Sequence, residues 1–234
     1  MTEAELASMI DHTFLKAAGE PDAIEKLCEE ARTYKFACAM VNPCEVKHAA
    51  KLLEGSGVRV GTVIDFPLGQ GGLPQKIFAA SAAIGDGARD VDYVIDIRML
   101  KSAAVDAAIR HQLENELTAM NTLAKNADAG IVTKLIIECC YLGDSEKVLA
   151  CNLAKKAGFS FVKTSTGFGT GGATVEDVKL MRDTVGPEMG VKAAGGIRTL
   201  RDALAMIDAG ANRLGCSAGA SILAELRGNH NEAH

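Results

Sequence analysis

Phe159-Ser160-Phe161-Val162-Lys163-Thr164-Ser165-Thr166-Gly167 is a short apolar run that delivers a lysine and then opens into a polar loop. Its length and the abrupt change at Thr164 read as a buried strand that ends at a turn. A helix start follows, with Thr174 three residues before Asp177, and the next apolar run, residues 190–194, carries a second lysine, Lys192. The order then repeats: Gly195-Gly196-Ile197-Arg198, a helix start at Thr199 and Asp202, an apolar run at 212–216, and Gly215-Cys216-Ser217-Ala218-Gly219 before another helix. Strand, glycine-rich loop and helix alternate, the pattern of a repeated βα unit.

Towards the amino terminus the same alternation continues. Apolar runs of strand length lie at residues 10–13, 36–41, 58–66, 91–97 and 131–139, which with the three above makes eight. Between them, Ile24, Leu27, Cys28 and Ala31, or Ile77, Phe78, Ser81 and Ile84, recur at helical spacing, and Pro21 and Pro74 stand near first turns. No linker or shift in composition divides the chain, and no Gly-x-Gly-x-x-Gly follows the first strand as a dinucleotide fold would require. The expectation is a (β/α)8 TIM barrel with a short N-terminal helix, one domain over residues 1–234, in preference to an open doubly wound sheet.

Composition fits that expectation. Of 234 residues 48% are hydrophobic, yet tryptophan is absent and aromatics make up 4%, so the core is built from Ala, Val, Ile and Leu. A net charge of −5 argues against a nucleic-acid binder, which needs a basic face to displace counterions. Residues 1–10 are acidic and lack a long apolar run, so no membrane association and a cytoplasmic location are expected. Seven cysteines without a Cys-x-x-Cys spacing read as reduced, mostly packed thiols. The histidines at 12, 48, 111, 230 and 234 make no His-Glu-x-x-His pattern, so neither a metal nor another cofactor is expected. The polar tail, residues 228–234, is expected to be mobile, and the helical exterior permits a homodimer that no decisive apolar patch marks.

Both faces of a barrel strand are covered, so an ionisable side chain inside an apolar run needs a reason to be there. Asp92, Lys134, Lys163 and Lys192 all interrupt such runs. Lys163 reaches the carboxyl end of its strand, where barrel active sites sit. Burial and a nearby cation both push an ammonium towards its neutral, nucleophilic form, and Lys192, on the next strand, is placed to be that cation. Asp92 is a candidate proton shuttle, and Asp96 shares its parity and competes for the role. The plainer alternative makes these residues structural, with the lysines paired to carboxylates and Asp92 bridged to Lys134 or Lys192.

Glycine-rich turns ahead of helices let backbone N–H groups approach an anion, and barrels hold phosphate after strands seven and eight. That reading places a phosphate beside Lys192 and Arg198, and the substrate-binding residues expected are Thr166, Gly167, Gly195, Gly196, Arg198, Gly215 and Ser217, with Lys134 as a further contact.

The two lysine segments, 161–167 and 191–199, resemble the deoxyribose-phosphate aldolases, and the resemblance runs along nearly the whole chain. It includes Ile10-Asp11-His12-Thr13, Val41-Asn42-Pro43, Phe66-Pro67-Leu68-Gly69, Lys134-Leu135-Ile136-Ile137-Glu138 and Gly171-Gly172-Ala173-Thr174. It implies a metal-free class I aldolase that splits 2-deoxy-D-ribose 5-phosphate into acetaldehyde and D-glyceraldehyde 3-phosphate in deoxyribonucleotide catabolism. On the matching positions it implies Lys163 as the Schiff-base lysine, Lys192 as the group that lowers its pKa, and Asp92 as an acid/base acting through water. The partners implied are small sugar-phosphate and aldehyde substrates. Departures from the family pattern fall at Met40, Asp65, Gln70-Gly71-Gly72, Asp96, Arg98, Cys216 and Ala218. The last two remove hydroxyls from the expected phosphate site and imply weaker phosphate affinity. Another phosphate-binding barrel enzyme, or a sugar-phosphate sensor without catalysis, is the competing reading.

Overall fold

The computed structural model of the protein describes residues 1–231. Eight parallel strands close on themselves in chain order: β1 (Ile10–Phe14), β2 (Cys38–Val41), β3 (Arg59–Ile64), β4 (Asp90–Val94), β5 (Val132–Ile136), β6 (Phe161–Lys163), β7 (Gly190–Ala194) and β8 (Arg213–Cys216). β8 pairs back onto β1, with Asp11 opposite Gly215. The expected (β/α)8 barrel is therefore the observed fold.

Helices form the outer ring: α1 (Glu3–Ala7), α2 (Ala23–Tyr34), α3 (Val46–Leu52), α4 (Leu73–Gly85), α5 (Ile97–Ala103), α6 (Ala107–Ala127), α7 (Asp144–Lys156), α8 (Val175–Val185), α9 (Leu200–Asp208) and α10 (Gly219–Asn231). The short α1 starts with a capping box at Thr2 and Glu5 and lies against α10, where Arg227 pairs with Glu3. Thr174 and Thr199 cap α8 and α9 as their spacing predicts. The helix α10 runs through residues 228–231, where a mobile tail was expected; residues 232–234 lie outside the described residues. No helix among the described residues is long and apolar enough to cross a membrane.

One strand end and one helix face differ instructively from the sequence reading. The run at 91–97 gives a strand only to Val94, because Asp96 turns its carboxylate onto the Met99 amide (2.8 Å) and caps α5. In α4 the buried residues are Lys76, Ala80 and Ala83, whereas Phe78 is 78% exposed. The reason is Lys76, whose stem is swallowed by the core while its ammonium donates to the Val94 carbonyl (3.2 Å).

Apolar residues on the outer faces of the strands and inner faces of the helices make one continuous core. The barrel interior differs. Beneath β1–β3 it is apolar, with Leu15, Cys38, Met40 and Val63 packed together and Phe66 against them. Elsewhere it is ionic: Asp11, Asp90, Asp92, Lys134 and Lys192 are wholly buried there.

Candidate active site

The ionic part of the barrel explains itself by register. Lys163 stands opposite Lys192 in the β6–β7 ladder, and Asp92 stands opposite Lys134 in the β4–β5 ladder, so alternate residues of neighbouring strands project inward at matching heights. Lys163 Nζ lies 3.0 Å and Lys192 Nζ 2.9 Å from the same oxygen, Asp92 Oδ2. Lys134 Nζ reaches Asp92 Oδ1 at 3.0 Å and Asp90 Oδ2 at 2.5 Å. Asp11 Oδ2 takes Lys192 at 2.5 Å and Asp11 Oδ1 takes Arg213 at 2.9 Å. Arg59, from below, pairs with Asp90.

Three carboxylates (Asp11, Asp90, Asp92) thus face five basic groups (Lys134, Lys163, Lys192, Arg59, Arg213). The excess of positive charge has one cheap outlet, the loss of a proton by a lysine. Lys163 is the one. Burial, then the charge of Lys192, bring its pKa from 10.5 down to about 8, against the pull of Asp92. Burial also works against charge on Lys192, but Asp11 and Asp92 outweigh it and hold that ammonium above its ordinary value. Lys134 is raised in the same way by Asp90, Asp92 and Asp11. Burial would raise the carboxyl of Asp92, yet Lys134, Lys192 and Lys163 hold it well below the usual carboxylate range. One amine is therefore primed to be neutral and its neighbours are fixed as ions.

Lys163 also sits at the floor of a cavity of about 390 Å³ at the carboxyl end of the barrel. Thr166, Gly167, Gly195, Gly196, Arg198, Gly215 and Ser217, all expected at the site, line the same cavity. Gly195 and Gly196 hold φ of 87° and 84°, a left-handed region that a side chain disfavours, so the β7 loop turns with its backbone towards the cavity. At Gly215 a Cβ would stand 3.0 Å from Lys192 Cε, so any side chain there would press on that lysine. The helix α10 begins two residues after Ser217, which orients its amino-terminal dipole near the cavity.

Lys134 was expected to touch substrate, but it is wholly buried beneath Lys163 among three carboxylates and does not line the cavity. Lys192 and Asp92 are likewise below the floor, so they reach a ligand only through Lys163 or through water. Asp96, the competitor of Asp92, is spent on capping α5. Sequence reading passed over Lys16, an exposed lysine after β1 that lines the cavity beside Ser217, and Asp11, whose carboxylate fixes Lys192. A strand-borne Asp11 within Ile10-Asp11-His12-Thr13 was the available signal.

Asp11, Cys38 and Asp90 bring three potential ligand atoms within 4.8 Å of one another, the one such metal-like cluster among the described residues. Lysine ammoniums already occupy both carboxylates, and burial, then Asp90 and Asp11, push the Cys38 thiol far above its ordinary value. The donor set is that of an ion-pair network, with a thiol that keeps its proton.

The family model for DeoC/LacD family aldolases matches residues 6–225. The chain belongs to the DeoC/LacD aldolase family. Among relatives of this aldolase, the deoxyribose-phosphate aldolase of Bacteroides thetaiotaomicron is 53% identical over 219 residues, covering 94% of this chain and 89% of that protein. The deoxyribose-phosphate aldolase of Clostridium perfringens is also 53% identical, over 222 residues, covering 95% and 96%. The solved deoxyribose phosphate aldolase of Aeropyrum pernix, a tetramer, superposes with a TM-score of 0.87 at 32% identity, over 97% of this chain and 92% of that one.

Where this aldolase departs from the family pattern, the consequences are local. Asp65 holds φ 56°, takes the Gly71 amide at 2.7 Å and lies 3.5 Å from Lys76, so it braces its own loop. Met40 fills the apolar part of the barrel interior. Cys216 lines the cavity as a buried thiol pushed up to about 12, so it offers no anionic group there.

Proposed function

We propose that this chain is a class I deoxyribose-phosphate aldolase, with Lys163 as the Schiff-base lysine. The reading rests above all on one observation: Lys163, at the floor of the cavity, shares a carboxylate oxygen with Lys192, whose charge its carboxylates favour, and has a pKa brought down to about 8. About a tenth of Lys163 is then neutral at pH 7.

Neutral Lys163 attacks C1 of open-chain 2-deoxyribose 5-phosphate, and loss of water gives a protonated imine. The imine draws the electrons of the C2–C3 bond as that bond breaks. The C3 hydroxyl gives up its proton to a base, D-glyceraldehyde 3-phosphate leaves, and Lys163 retains an enamine. Protonation at C2 and hydrolysis release acetaldehyde and regenerate the amine. Asp92 is too strong an acid to store the proton and lies below the floor, which suits it to orient the water that takes and returns the proton; Lys192 is the charged neighbour that favours the neutral form of Lys163. Gly195, Gly196, Gly215 and Ser217 bring backbone to the phosphate end, with Lys16 and Arg198 as its cations. Substrates are small aldehydes and sugar phosphates, the site of action is the cytoplasm, and a single barrel domain carries the whole reaction.

Borohydride reduction in the presence of acetaldehyde tests this. One acetaldehyde-derived ethyl group on the peptide holding Lys163, absent from Lys163→Ala, is expected. A folded wild-type protein that neither traps acetaldehyde nor cleaves deoxyribose 5-phosphate rules the reading out.

A further inference from the structure

Glu138 follows β5 and is 2% exposed, yet its oxygens accept from Thr166, with the Cys140 thiol a long 3.9 Å from Oε1, rather than from a cation. Thr166 donates its amide to Oε1 at 3.1 Å and its hydroxyl to Oε2. That donation to Oε2 commits the hydroxyl proton away from the cavity that Thr166 lines, and the same hydroxyl oxygen accepts the Phe168 amide at 3.0 Å. The backbone of Glu138 is left-handed, φ 53° and ψ 67°, a conformation rare for a residue with a side chain. On either side of it, Ile137 donates to the Lys163 carbonyl at 3.0 Å and Cys139 to the Thr164 carbonyl at 2.8 Å. The turn is thus stitched to the residue carrying the nucleophile, and its unusual backbone aims the carboxylate at the next loop.

We propose that Glu138 is a positioning residue for the cleavage reaction: it fixes the loop Thr166-Gly167-Phe168 as a rigid wall at a set distance from Lys163 without touching substrate. The proposal rests on the aldolase reading. The wall matters to the five-carbon substrate, which spans the cavity from Lys163 to the anion end. It matters little to acetaldehyde, which reaches Lys163 alone. Loss of the clasp therefore lowers the effective concentration of the long substrate's reacting carbon and spares imine formation with the short one.

The test compares two readouts on each variant: kcat/KM for deoxyribose 5-phosphate, and the rate of borohydride trapping of acetaldehyde on Lys163. Glu138→Ala is expected to lose on the order of tenfold to a hundredfold in kcat/KM, with trapping within about twofold of wild type. Glu138→Gln keeps an acceptor for the Thr166 amide and is expected to fall between. Thr166→Val removes the other half of the clasp, and combining it with Glu138→Gln is expected to cost less than the product of the single losses. Wild-type cleavage by Glu138→Ala overturns the proposal, as does a parallel fall in cleavage and trapping. If Glu138→Ala does not fold, independent, multiplicative losses in the Glu138→Gln and Thr166→Val cycle overturn it. Wild-type protein inert in both assays would instead sink the aldolase reading.

Discussion

Lys163 and Lys192, opposite one another in the β6–β7 ladder, place their amino groups on a single oxygen of Asp92, at 3.0 and 2.9 Å. Two like charges drawn onto one acceptor cannot both be cheap, and the one with fewer carboxylates yields its proton. Lys192 has Asp11 as well; Lys163 has Asp92 alone.

The pH profile follows. Attack needs neutral Lys163, so kcat/KM is expected to rise with pH through about 8 and level above it. In Lys192→Met the repulsion of the cationic neighbour is gone and Lys163 no longer shares Asp92 with it, and both changes favour the charged amine at 163. The rising limb moves to higher pH, and kcat/KM at pH 7 falls by on the order of a hundredfold. An unmoved limb, measured by initial rates between pH 6 and 10, means that Lys192 does not tune the nucleophile.

Stability carries the same signature with a definite sign. The pKa of Lys163 is near 8 when folded and 10.5 as its ordinary value, so between those pH values the unfolded chain binds more protons than the folded one. The cost of the buried amine is full below pH 8 and is relieved as pH rises towards 10.5. Lys163→Met removes a burden of at most about 3 kcal/mol. Its Tm is expected to exceed that of wild type at pH 7, with a gap that narrows from pH 8 upward. Denaturation scans of the two proteins across that range decide it, and a gap that widens with pH contradicts the charge assignment.

Much of this was legible in the sequence because the chemistry interrupts otherwise apolar strands. Lys163 and Lys192 stand out against Phe161-Val162 and Val191, and eight such runs separated by capped helices suffice to propose a closed barrel. The glycine loops marked the cavity wall for the same reason, since Gly195 and Gly196 hold conformations that side chains disfavour. Other features needed three dimensions. Lys134 shares the strand pattern of Lys163 but lies one layer deeper, and strand register, invisible in one strand, decides which lysine sees the cavity. Parity equated Asp96 with Asp92, but parity holds only while the strand lasts, and a helix cap ends it at Val94. Glu138 looked like the tail of an apolar run, because nothing local announces a left-handed turn at a glutamate.

Gly215 provides a steric test of the network. A methyl group there would stand 3.0 Å from Lys192 Cε and from Ala194 Cβ. Lys192 cannot swing aside cheaply, since it is wholly buried with its ammonium on Asp11 and Asp92. Gly215→Ala is therefore expected to shift Lys192 off Asp92, costing roughly 1–3 kcal/mol of stability as overpacking and on the order of tenfold or more in kcat. Full activity with unchanged Tm would show that the barrel yields at this point.

The anion end can be probed through substrate choice. Lys163 is taken up by the carbonyl end of the substrate, which leaves Lys16 and Arg198 as the cationic side chains lining the cavity for a phosphate dianion. Both are exposed, so each contact is screened and contributes modestly, while the pair acts on the same two charges. The ratio of kcat/KM for deoxyribose 5-phosphate to that for unphosphorylated 2-deoxyribose is the proper readout, because changes common to both substrates cancel. Lys16→Ala and Arg198→Ala are each expected to lower that ratio several-fold, and the double variant by on the order of tenfold or more. Added salt should compress the ratio in wild type and leave it nearly flat in the double variant. A ratio that stays at its wild-type value in the double variant would assign phosphate recognition to the backbone amides of the β7 and β8 loops alone.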